Sequence, residues 1–394
     1  MIYLNQLGIV CPLGNSGEQV KQRLLDTGQS GVSLSEEYSP GRLLPLGRID
    51  AELPLPAVSH LDAIARSRNN QVALAALAQI RTAVDSAIEH YGKGRLGIVI
   101  GTSTSGIAES EAAFHHFTRN GSLPDQFHYG QQELSSLATL LADELGVWGP
   151  AYVHSSACAS SAKALASAAR LLCAGACDAV LTGGVDTLCG FTVAGFAALE
   201  SVSATRCNPL SRNRNGINIG EGGALFLMSR EPGPVALRGW GESSDGYHMS
   251  APDPSGAGAR LAVERALSRA GISAETIDYV NLHGTGTVQN DAMEARVIHA
   301  LFGDAVAVSS TKPLTGHALG AAGAIEAGLC WLAMQDDNPA GRFPPHLWDG
   351  ISDPTLPALN VAQPGSHLGR PLDWILSNSF AFGGANAALV FGRG

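Results

Sequence analysis

The sequence contains no uninterrupted apolar segment of the length that a membrane-spanning helix requires. Such a helix needs about 18 or more consecutive apolar residues, whereas the candidate stretch, 157–181, is broken by Lys163, Arg170 and Asp178. The residues that follow Met1 also lack the basic segment and apolar run of a secretory signal. We therefore expect a soluble, cytoplasmic protein without a membrane span.

Charged residues are also scarce, at 15% of the chain, and the acidic ones outnumber the basic ones. The formal net charge of −10 argues against a protein that binds nucleic acid, because that function needs a basic surface to neutralise phosphates. The same charge leaves room for a local basic patch.

The number and spacing of the cysteines do not match a disulfide framework. The seven cysteines are an odd number at irregular spacings, so we expect free thiols in a reducing compartment. Cys173 and Cys177 lie four residues apart on a predicted helix, but no neighbouring pair of ligands completes a metal site. The favoured interpretation is two small buried residues, and no metal is expected.

Glycine, by contrast, is abundant, with 47 residues, which indicates turns and close packing of helices on a sheet. Apolar β-branched runs alternate with Ala- and Leu-rich stretches, the pattern of an α/β fold with buried strands. Strands are predicted over 95–100, 179–182, 224–228, 277–282 and 305–309. Helices are predicted over 70–90, 159–174, 256–270, 291–301 and 320–334.

The order of these elements repeats along the chain. In each half a strand leads to a polar Gly/Thr loop and a helix, and a second strand leads to a reactive residue and a helix of small residues. A chain of 394 residues suits two such halves. We predict an N-terminal half over 1–240 and a C-terminal half over 241–394, joined near residues 239–244.

Cys158 lies where a short apolar run, 151–153, turns into an Ala-rich helix. The N–H groups and the dipole of a helix N-terminus favour a thiolate, and the small neighbours of Cys158 leave space for a bulky acyl group. On this segment alone, a small buried cysteine at a tight turn explains the pattern equally well.

Two histidines occupy similar junctions between a strand and a helix. His283 begins a His-Gly-Thr-Gly-Thr loop, and His317 ends a Ser- and Thr-rich segment. A single histidine is more often structural, but open α/β folds place their sites at strand ends, so two histidines and a cysteine there favour catalysis. Lys312 and Glu326 could form an ion pair that either stabilises the fold or orients His317.

Together these segments resemble the β-ketoacyl-acyl carrier protein synthase I/II family of the thiolase superfamily. The matching segments are collinear and run as Ser156-Ala157-Cys158-Ala159-Ser160, Gly183-Gly184-Val185-Asp186, Gly220-Glu221-Gly222, 243–249, His283-Gly284-Thr285-Gly286-Thr287, 310–317 and 378–386. Each of them is weakly specific, but the ordered set is very specific.

The resemblance implies a duplicated α-β-α-β-α sandwich and a dimer. It implies a catalytic triad of Cys158, His283 and His317, supported by Lys312 and Glu326. Phe382 matches the gating phenylalanine, whose backbone N–H joins that of Cys158 in the oxyanion hole. The positions matching substrate-binding residues are Thr285 and Thr287 for the pantetheine arm, and Phe380 and Thr104 for the remaining substrate.

The implied reaction is a decarboxylative Claisen condensation of malonyl-acyl carrier protein with an acyl chain held on Cys158. Two imidazole N–H groups stabilise the enolate, so no metal or redox cofactor is required, and the substrates arrive on the phosphopantetheine of an acyl carrier protein. That carrier is acidic, so a basic patch is expected near the site entrance. The candidates are Arg66, Arg68, Arg206, Arg212 and Arg214.

Several positions depart from the family pattern. Pro-Phe-Asp is replaced by Pro209-Leu210-Ser211, Arg-Asp-Gly by Arg214-Asn215-Gly216, and the glycine before the gating phenylalanine by Ala381, which stiffens that loop. Thr104 stands where long-chain enzymes carry an aliphatic residue. The pattern is closer to ketosynthases of aryl-polyene or type II polyketide pathways, which act as homodimers or as heterodimers with a ketosynthase-like chain-length factor.

Two alternatives stay open. The chain could be a non-catalytic chain-length or scaffold subunit, although such subunits usually lose the cysteine that is retained here as Cys158. It could also be a thiolase that acts on coenzyme A esters. That function needs a second cysteine in a C-terminal loop, and no cysteine follows Cys330.

Overall fold

A computed structural model describes residues 1–50 and 54–394. The strands of this range are β1 (Ile2–Val10), β2 (Val32–Ser35), β3 (Leu44–Gly47), β4 (Leu96–Gly101), β5 (Ala151–His154), β6 (Ala179–Asp186), β7 (Gly222–Ser229), β8 (Val235–Ser244), β9 (Tyr279–Asn281), β10 (Ala307–Ser309), β11 (Asn360–Val361), β12 (Trp374–Phe380) and β13 (Ala385–Arg393). Its α-helices are α1 (Gly17–Gln22), α2 (Arg68–Tyr91), α3 (Ile107–Asn120), α4 (Ser136–Leu145), α5 (Ser160–Cys173), α6 (Gly190–Ala198), α7 (Ala257–Ala270), α8 (Val288–Phe302), α9 (Lys312–Thr315) and α10 (Ala322–Ala333). Every predicted strand and helix overlaps one of these elements.

The large sheet has the strand order β11-β10-β9-β12-β13-β8-β1-β7-β6-β4-β5. The order β5-β4-β6-β7-β1 in the N-terminal half is repeated as β10-β9-β12-β13-β8 in the C-terminal half. The directions repeat as well, because the second of these strands runs parallel to its two neighbours and the fourth runs antiparallel to its neighbours. The halves meet where β1 pairs antiparallel with β8.

Three apolar clusters separate the layers of the fold. One cluster packs α2 and α4 against the N-terminal strands, and another packs α7 and α8 against the C-terminal strands. The third holds α5 and α10 between strands of both halves. The approach of α5 to α10 is close, because a Cβ added at Gly323 would lie 3.0 Å from the Cβ of Ala162. The predicted α-β-α-β-α sandwich of two similar halves is confirmed.

The predicted junction near residues 239–244 falls inside β8. Gly239 and Gly241 are strand residues, and a Cβ added at them would lie 2.1 Å from the carbonyl oxygen of Ala266 and 1.8 Å from that of Ala262. The glycines therefore reflect the close approach of α7 to β8 rather than a linker. The repeated strand order places the junction between Ser229 and Val235 instead.

Two smaller features also bear on the sequence predictions. Helix α5 ends at Cys173, which is exposed, while Cys177 lies beyond the helix and is buried. The expectation of two buried helical cysteines is therefore wrong for Cys173. No helix of residues 1–50 and 54–394 is long and apolar enough to cross a membrane.

Candidate active site

Three side chains predicted from the sequence converge between the halves. Cys158 precedes α5, His283 follows β9, and His317 lies between α9 and α10. The Sγ atom of Cys158 is 3.0 Å from Nε2 of His317, and the rings of His283 and His317 lie 5.4 Å apart, edge to face. One residue of the N-terminal half and two of the C-terminal half thus share one buried site.

The turn that presents Cys158 is strained. Ala157 has a φ of 47°, a conformation that residues with a Cβ adopt rarely. The Oγ of Ser160 donates to the carbonyl of Ala157 at 2.6 Å and accepts from the N–H of Ser156 at 2.8 Å. These contacts hold the left-handed residue in place, and Cys158 leaves the turn at the start of α5.

Burial dominates the electrostatics of Cys158. The residue is 4% exposed, and burial raises the pKa of its thiol to about 11, although the Lys312 ammonium and the backbone N–H of Phe382 act in the opposite direction. The sequence predicted a thiolate favoured by the helix N-terminus. Burial therefore opposes the thiolate that the helix N-terminus is expected to favour.

Both histidines are neutral. Burial and the nearby Lys312 ammonium hold the pKa of His283 and of His317 well below the ordinary value. Nδ1 of His283 lies 3.5 Å from Nζ of Lys312. An ammonium has no lone pair, so Nδ1 accepts and the ring proton of His283 sits on Nε2.

Lys312 and Glu326 form the predicted ion pair, with Nζ 2.5 Å from Oε1, and both side chains are buried. Nζ also donates to the backbone carbonyl of His283. The pair therefore contacts His283 directly, whereas the sequence suggested that it would orient His317.

Two acidic residues on α8, which the sequence analysis did not single out, hold the loop after β9. Glu294 accepts from the N–H groups of His283 at 2.8 Å and Gly284 at 2.7 Å, and burial raises the pKa of its carboxyl group to about 7. Asp291 accepts from the N–H of Gly286 at 3.1 Å. Their spacing of three residues at the start of a helix was the available signal.

The cavity beside Cys158 is narrow. Its free volume is about 20 Å³, which is room for about one water molecule. It is lined by Cys158, Phe196, Ile217, Pro252, His283, Thr285, Asn290, His317, Phe380, Ala381 and Phe382. Phe382 is half-buried, and its ring lies 5.8 Å from that of Phe196.

Two of the predicted substrate-binding residues lie outside this lining. Thr287 is half-buried and shares a 3.0 Å hydroxyl contact with Thr285, which does line the cavity. Thr104 is buried, and its hydroxyl donates to Asp186 at 3.0 Å and accepts from the N–H of Thr187 at 3.1 Å. The hydroxyl of Thr104 is thus engaged in holding the end of β6.

The five basic candidates differ in their surroundings. Arg214 is buried in an ion pair with Asp353, and Arg68 forms a 2.6 Å ion pair with the buried Glu221. The burial of Arg214 corrects the expectation that this residue could dock a partner, whereas the side chain of Arg68 is 34% exposed. Arg66 is half-buried, with Nε donating to the carbonyl of Leu61. Arg206 and Arg212 are exposed.

A cysteine and two histidines are also a set of ligands that zinc accepts, and their ligand atoms lie within 4.8 Å of one another. Two features oppose a metal. The 3.0 Å separation of Cys158 Sγ and His317 Nε2 is shorter than the roughly 3.5 Å between two ligands of one tetrahedral zinc. The buried Lys312 ammonium beside His283 also repels a cation. The geometry suits a pair that shares a proton.

Comparison with known families gives a consistent result. The family described as "Beta-ketoacyl synthase, N-terminal domain" matches residues 7–232, and "Beta-ketoacyl synthase, C-terminal domain" matches residues 235–344. The chain belongs to the β-ketoacyl synthase family. The family expected from the sequence motifs is therefore confirmed.

Individual relatives narrow the comparison. A "3-oxoacyl-[acyl-carrier-protein] synthase 2" of Staphylococcus aureus is 30% identical over 99% of this chain and 97% of its own length. A protein of the same description from Mycobacterium bovis is 40% identical, over 60% of either chain, so the match spans 60% of that relative's length. The solved "Ketosynthase (ApeO) in Complex with its Chain Length Factor (ApeC) from Xenorhabdus doucetiae" is 43% identical, covers 100% of this chain and 98% of its own, and superposes with a TM-score of 0.93.

Proposed function

We propose that the protein is a β-ketoacyl-acyl carrier protein synthase that performs a decarboxylative Claisen condensation in fatty acid, polyene or polyketide chain elongation. The observation that carries this proposal is the contact of 3.0 Å between Cys158 Sγ and His317 Nε2, with His283 beside it in the same buried cavity. A nucleophile, a base and a second N–H donor in a dry site are what the reaction needs.

The first step loads the acyl chain. Sγ of Cys158 attacks the acyl thioester of the carrier while its proton passes to Nε2 of His317. The tetrahedral oxyanion accepts from the backbone N–H groups of Cys158 and Phe382. Collapse expels the carrier thiolate, which takes this proton from Nε2 of His317 and leaves as the carrier thiol. A thiol with a pKa near 11 needs such a base at neutral pH.

The second step extends the chain. Loss of CO2 from malonyl-acyl carrier protein leaves an enolate, whose oxygen accepts from Nε2–H of His283. The enolate carbon attacks the acyl thioester, and collapse releases the β-ketoacyl product and the Cys158 thiolate, which takes a proton from water. The sequence of steps is redox-neutral and its charges meet N–H donors, so we propose that neither a metal nor a redox cofactor takes part.

For partners we propose an acyl carrier protein and a second, ketosynthase-like chain. The relative ApeO is described in complex with a chain length factor, which favours a heterodimer over a homodimer. Strand β5 is an edge strand of the large sheet, and Phe114, Phe117, Tyr129 and Phe191 of the same half are exposed. Such apolar exposure supports a protein interface.

We propose the cytoplasm as the compartment. All seven cysteines are free thiols, and six of them, including Cys158, are buried. An enzyme whose nucleophile is a free thiol depends on reducing surroundings.

Replacement of the nucleophile is the direct test. We expect Cys158→Ala to abolish both the mass increase that follows incubation with an acyl carrier thioester and the formation of β-ketoacyl product. Cys173→Ser, which replaces an exposed thiol, is the matched control and should retain both. Intact-protein mass spectrometry measures the acylation of the enzyme in the first step. Full condensation by Cys158→Ala would refute the proposal, and a wild-type protein that is never acylated would favour a non-catalytic subunit.

A further inference from the structure

His346 is a buried residue that the proposed chemistry does not use. It is 1% exposed, and burial lowers the pKa of its ring to about 4, so the ring is neutral at pH 7 and carries one N–H and one lone pair. Nδ1 lies 3.0 Å from the backbone N–H of Ser310, and Nε2 lies 2.9 Å from the carbonyl oxygen of Pro209. An amide N–H only donates and a carbonyl only accepts, so the proton sits on Nε2 and both ring nitrogens are satisfied.

Each of these two contacts leads to the loop that begins at His283. On one side, Oγ of Ser310 donates to the carbonyl of Gly284 at 2.6 Å. On the other side, the N–H of Leu210, which follows Pro209, donates to Asp291 at 2.9 Å. The second oxygen of Asp291 accepts from the N–H of Gly286. With the backbone of residues 284–286, the five hydrogen bonds form a closed ring through the loop that follows His283.

The closed ring of hydrogen bonds includes a residue with a strained backbone. Leu210 has a φ of 62°, and such a conformation persists in a non-glycine residue only when the surroundings fix it. His346 binds the carbonyl on one side of this residue, and Asp291 binds its N–H. Strain held from two sides by buried side chains indicates a position whose geometry matters to function.

The Cys158–His317 pair is held by separate contacts. The N–H of His317 donates to the carbonyl of Asn218 at 2.7 Å, and its carbonyl accepts from the N–H of Gly220 at 2.9 Å. Cys158 is fixed by its own turn. The hydrogen-bonded ring meets the segment of His317 at one point, where Oγ of Ser310 accepts from the N–H of Lys312 at 3.3 Å. It holds the loop that begins at His283 at two points, Gly284 and Gly286, so we expect a change in it to act on His283 more than on Cys158 and His317.

We propose that His346 is a positioning residue for His283. The closed ring of hydrogen bonds that includes His346 holds the loop after His283, and this loop directs Nε2–H of the His283 side chain at the developing enolate oxygen. This inference rests on the proposed function, in which the first step uses Cys158 and His317, and decarboxylation uses His283. Loss of His346 should therefore slow decarboxylation much more than acylation. A role in stability alone would lower both rates together, or neither.

The test measures the two steps separately. Acylation is the initial rate at which hexanoyl-loaded acyl carrier protein adds mass to the enzyme, and decarboxylation is the rate of CO2 release from malonyl-loaded carrier. For His346→Leu we expect decarboxylation to fall by an order of magnitude or more, since small misplacements at a reacting centre cost up to ~100-fold. Acylation should stay within about twofold. His299→Leu, at an exposed histidine of α8, should change neither.

Conservative variants keep the inference testable if His346→Leu does not fold. The side-chain oxygen of His346→Asn can replace Nδ1 as acceptor for Ser310, and the amide of His346→Gln can replace Nε2 as donor to Pro209. The route through Ser310 is the shorter one to Gly284, so the Asn variant should retain more decarboxylation than the Gln variant. Equal losses in both steps, or the opposite order of the two variants, would overturn the inference. A wild type that is neither acylated nor able to release CO2 would instead overturn the proposed function.

Discussion

At Cys158 two opposing influences act on one thiol. Burial raises its pKa, whereas the Lys312 ammonium and the N–H of Phe382 lower it, and burial prevails. In the proposed mechanism, a thiol with a raised pKa becomes a nucleophile when His317 accepts its proton. Because the thiolate is the reactive form, a raised pKa limits side reactions of Cys158 such as oxidation before the substrate binds.

This balance predicts the pH dependence of alkylation. The thiolate fraction rises with pH until the pKa is passed, so the rate of Cys158 modification by iodoacetamide should rise from pH 7 to pH 10 without a plateau, given a pKa of about 11. Mass spectrometry of the peptide that contains Cys158 follows the rate, and the exposed Cys173 serves as an internal reference in the same sample. A plateau reached below pH 8.5 would contradict the prediction.

The Lys312–Glu326 pair predicts a large change in stability. Lys312→Met leaves the Glu326 carboxylate buried without its partner, which typically costs about 3–5 kcal/mol of unfolding free energy. The double variant Lys312→Met/Glu326→Leu removes both charges and should recover most of this loss. Urea unfolding of the three proteins measures the difference. If the double variant is as unstable as the single one, the unpaired charge is not the cause.

At the scale of elements, the five predicted strands and five predicted helices all exist, because buried strands and small-residue helices such as α5 have distinct patterns. The sequence analysis did not predict β1, β8, β12 or β13, which also belong to the large sheet. It misplaced the junction between the halves, since the glycines of β8 look like a linker but mark the contact with α7. The site was predictable as far as Cys158, His283 and His317, which stand at strand ends in recognisable motifs. The strain at Ala157 and the engagement of Thr104 with Asp186 arise from contacts between distant segments, which no local pattern encodes.

The contact of α7 with β8 predicts an intolerant glycine. In Gly241→Ala the new Cβ would lie 1.8 Å from the carbonyl oxygen of Ala262, so the helix must move, and we expect a loss of about 3 kcal/mol in unfolding free energy. Gly195→Ala is the matched control, because a Cβ at this exposed position of α6 meets nothing within 4 Å. It should be neutral or stabilising by up to ~1 kcal/mol. Equal melting temperatures for Gly241→Ala and Gly195→Ala would refute the close packing of α7 against β8.

At the scale of the whole molecule, a net charge of −10 has to be reconciled with an acidic carrier partner. The exposed Arg206 and Arg212 flank a segment that contacts the loop after His283, since Cys207 lies 3.4 Å from a Cβ placed on Gly286. We expect local attraction by these two arginines to outweigh the unfavourable total charge, because charges beyond the Debye length of ~8 Å are screened at physiological salt.

This attraction predicts salt-dependent binding of the carrier. Arg206→Glu and Arg212→Glu should each weaken carrier binding severalfold and reduce its dependence on salt, measured by surface plasmon resonance between 50 and 300 mM NaCl (about the range in which screening changes most). Lys93→Glu is the matched control, because this exposed lysine precedes β4 at the opposite end of the sheet. Affinities that do not change with either arginine would place the docking surface elsewhere.

The pairing of β1 has a consequence for the synthesis of the chain. Tyr3 pairs with Ser229 of β7 and Ala236 of β8, so this strand leaves the ribosome more than 200 residues before its partners do. At ~5–20 residues per second the delay is roughly 10–45 s. During that interval an apolar strand with two open edges is exposed to pairing with other chains. Nascent β1 is therefore a segment that a ribosome-associated chaperone would have to shield, and the two halves complete their folding together once β8 arrives.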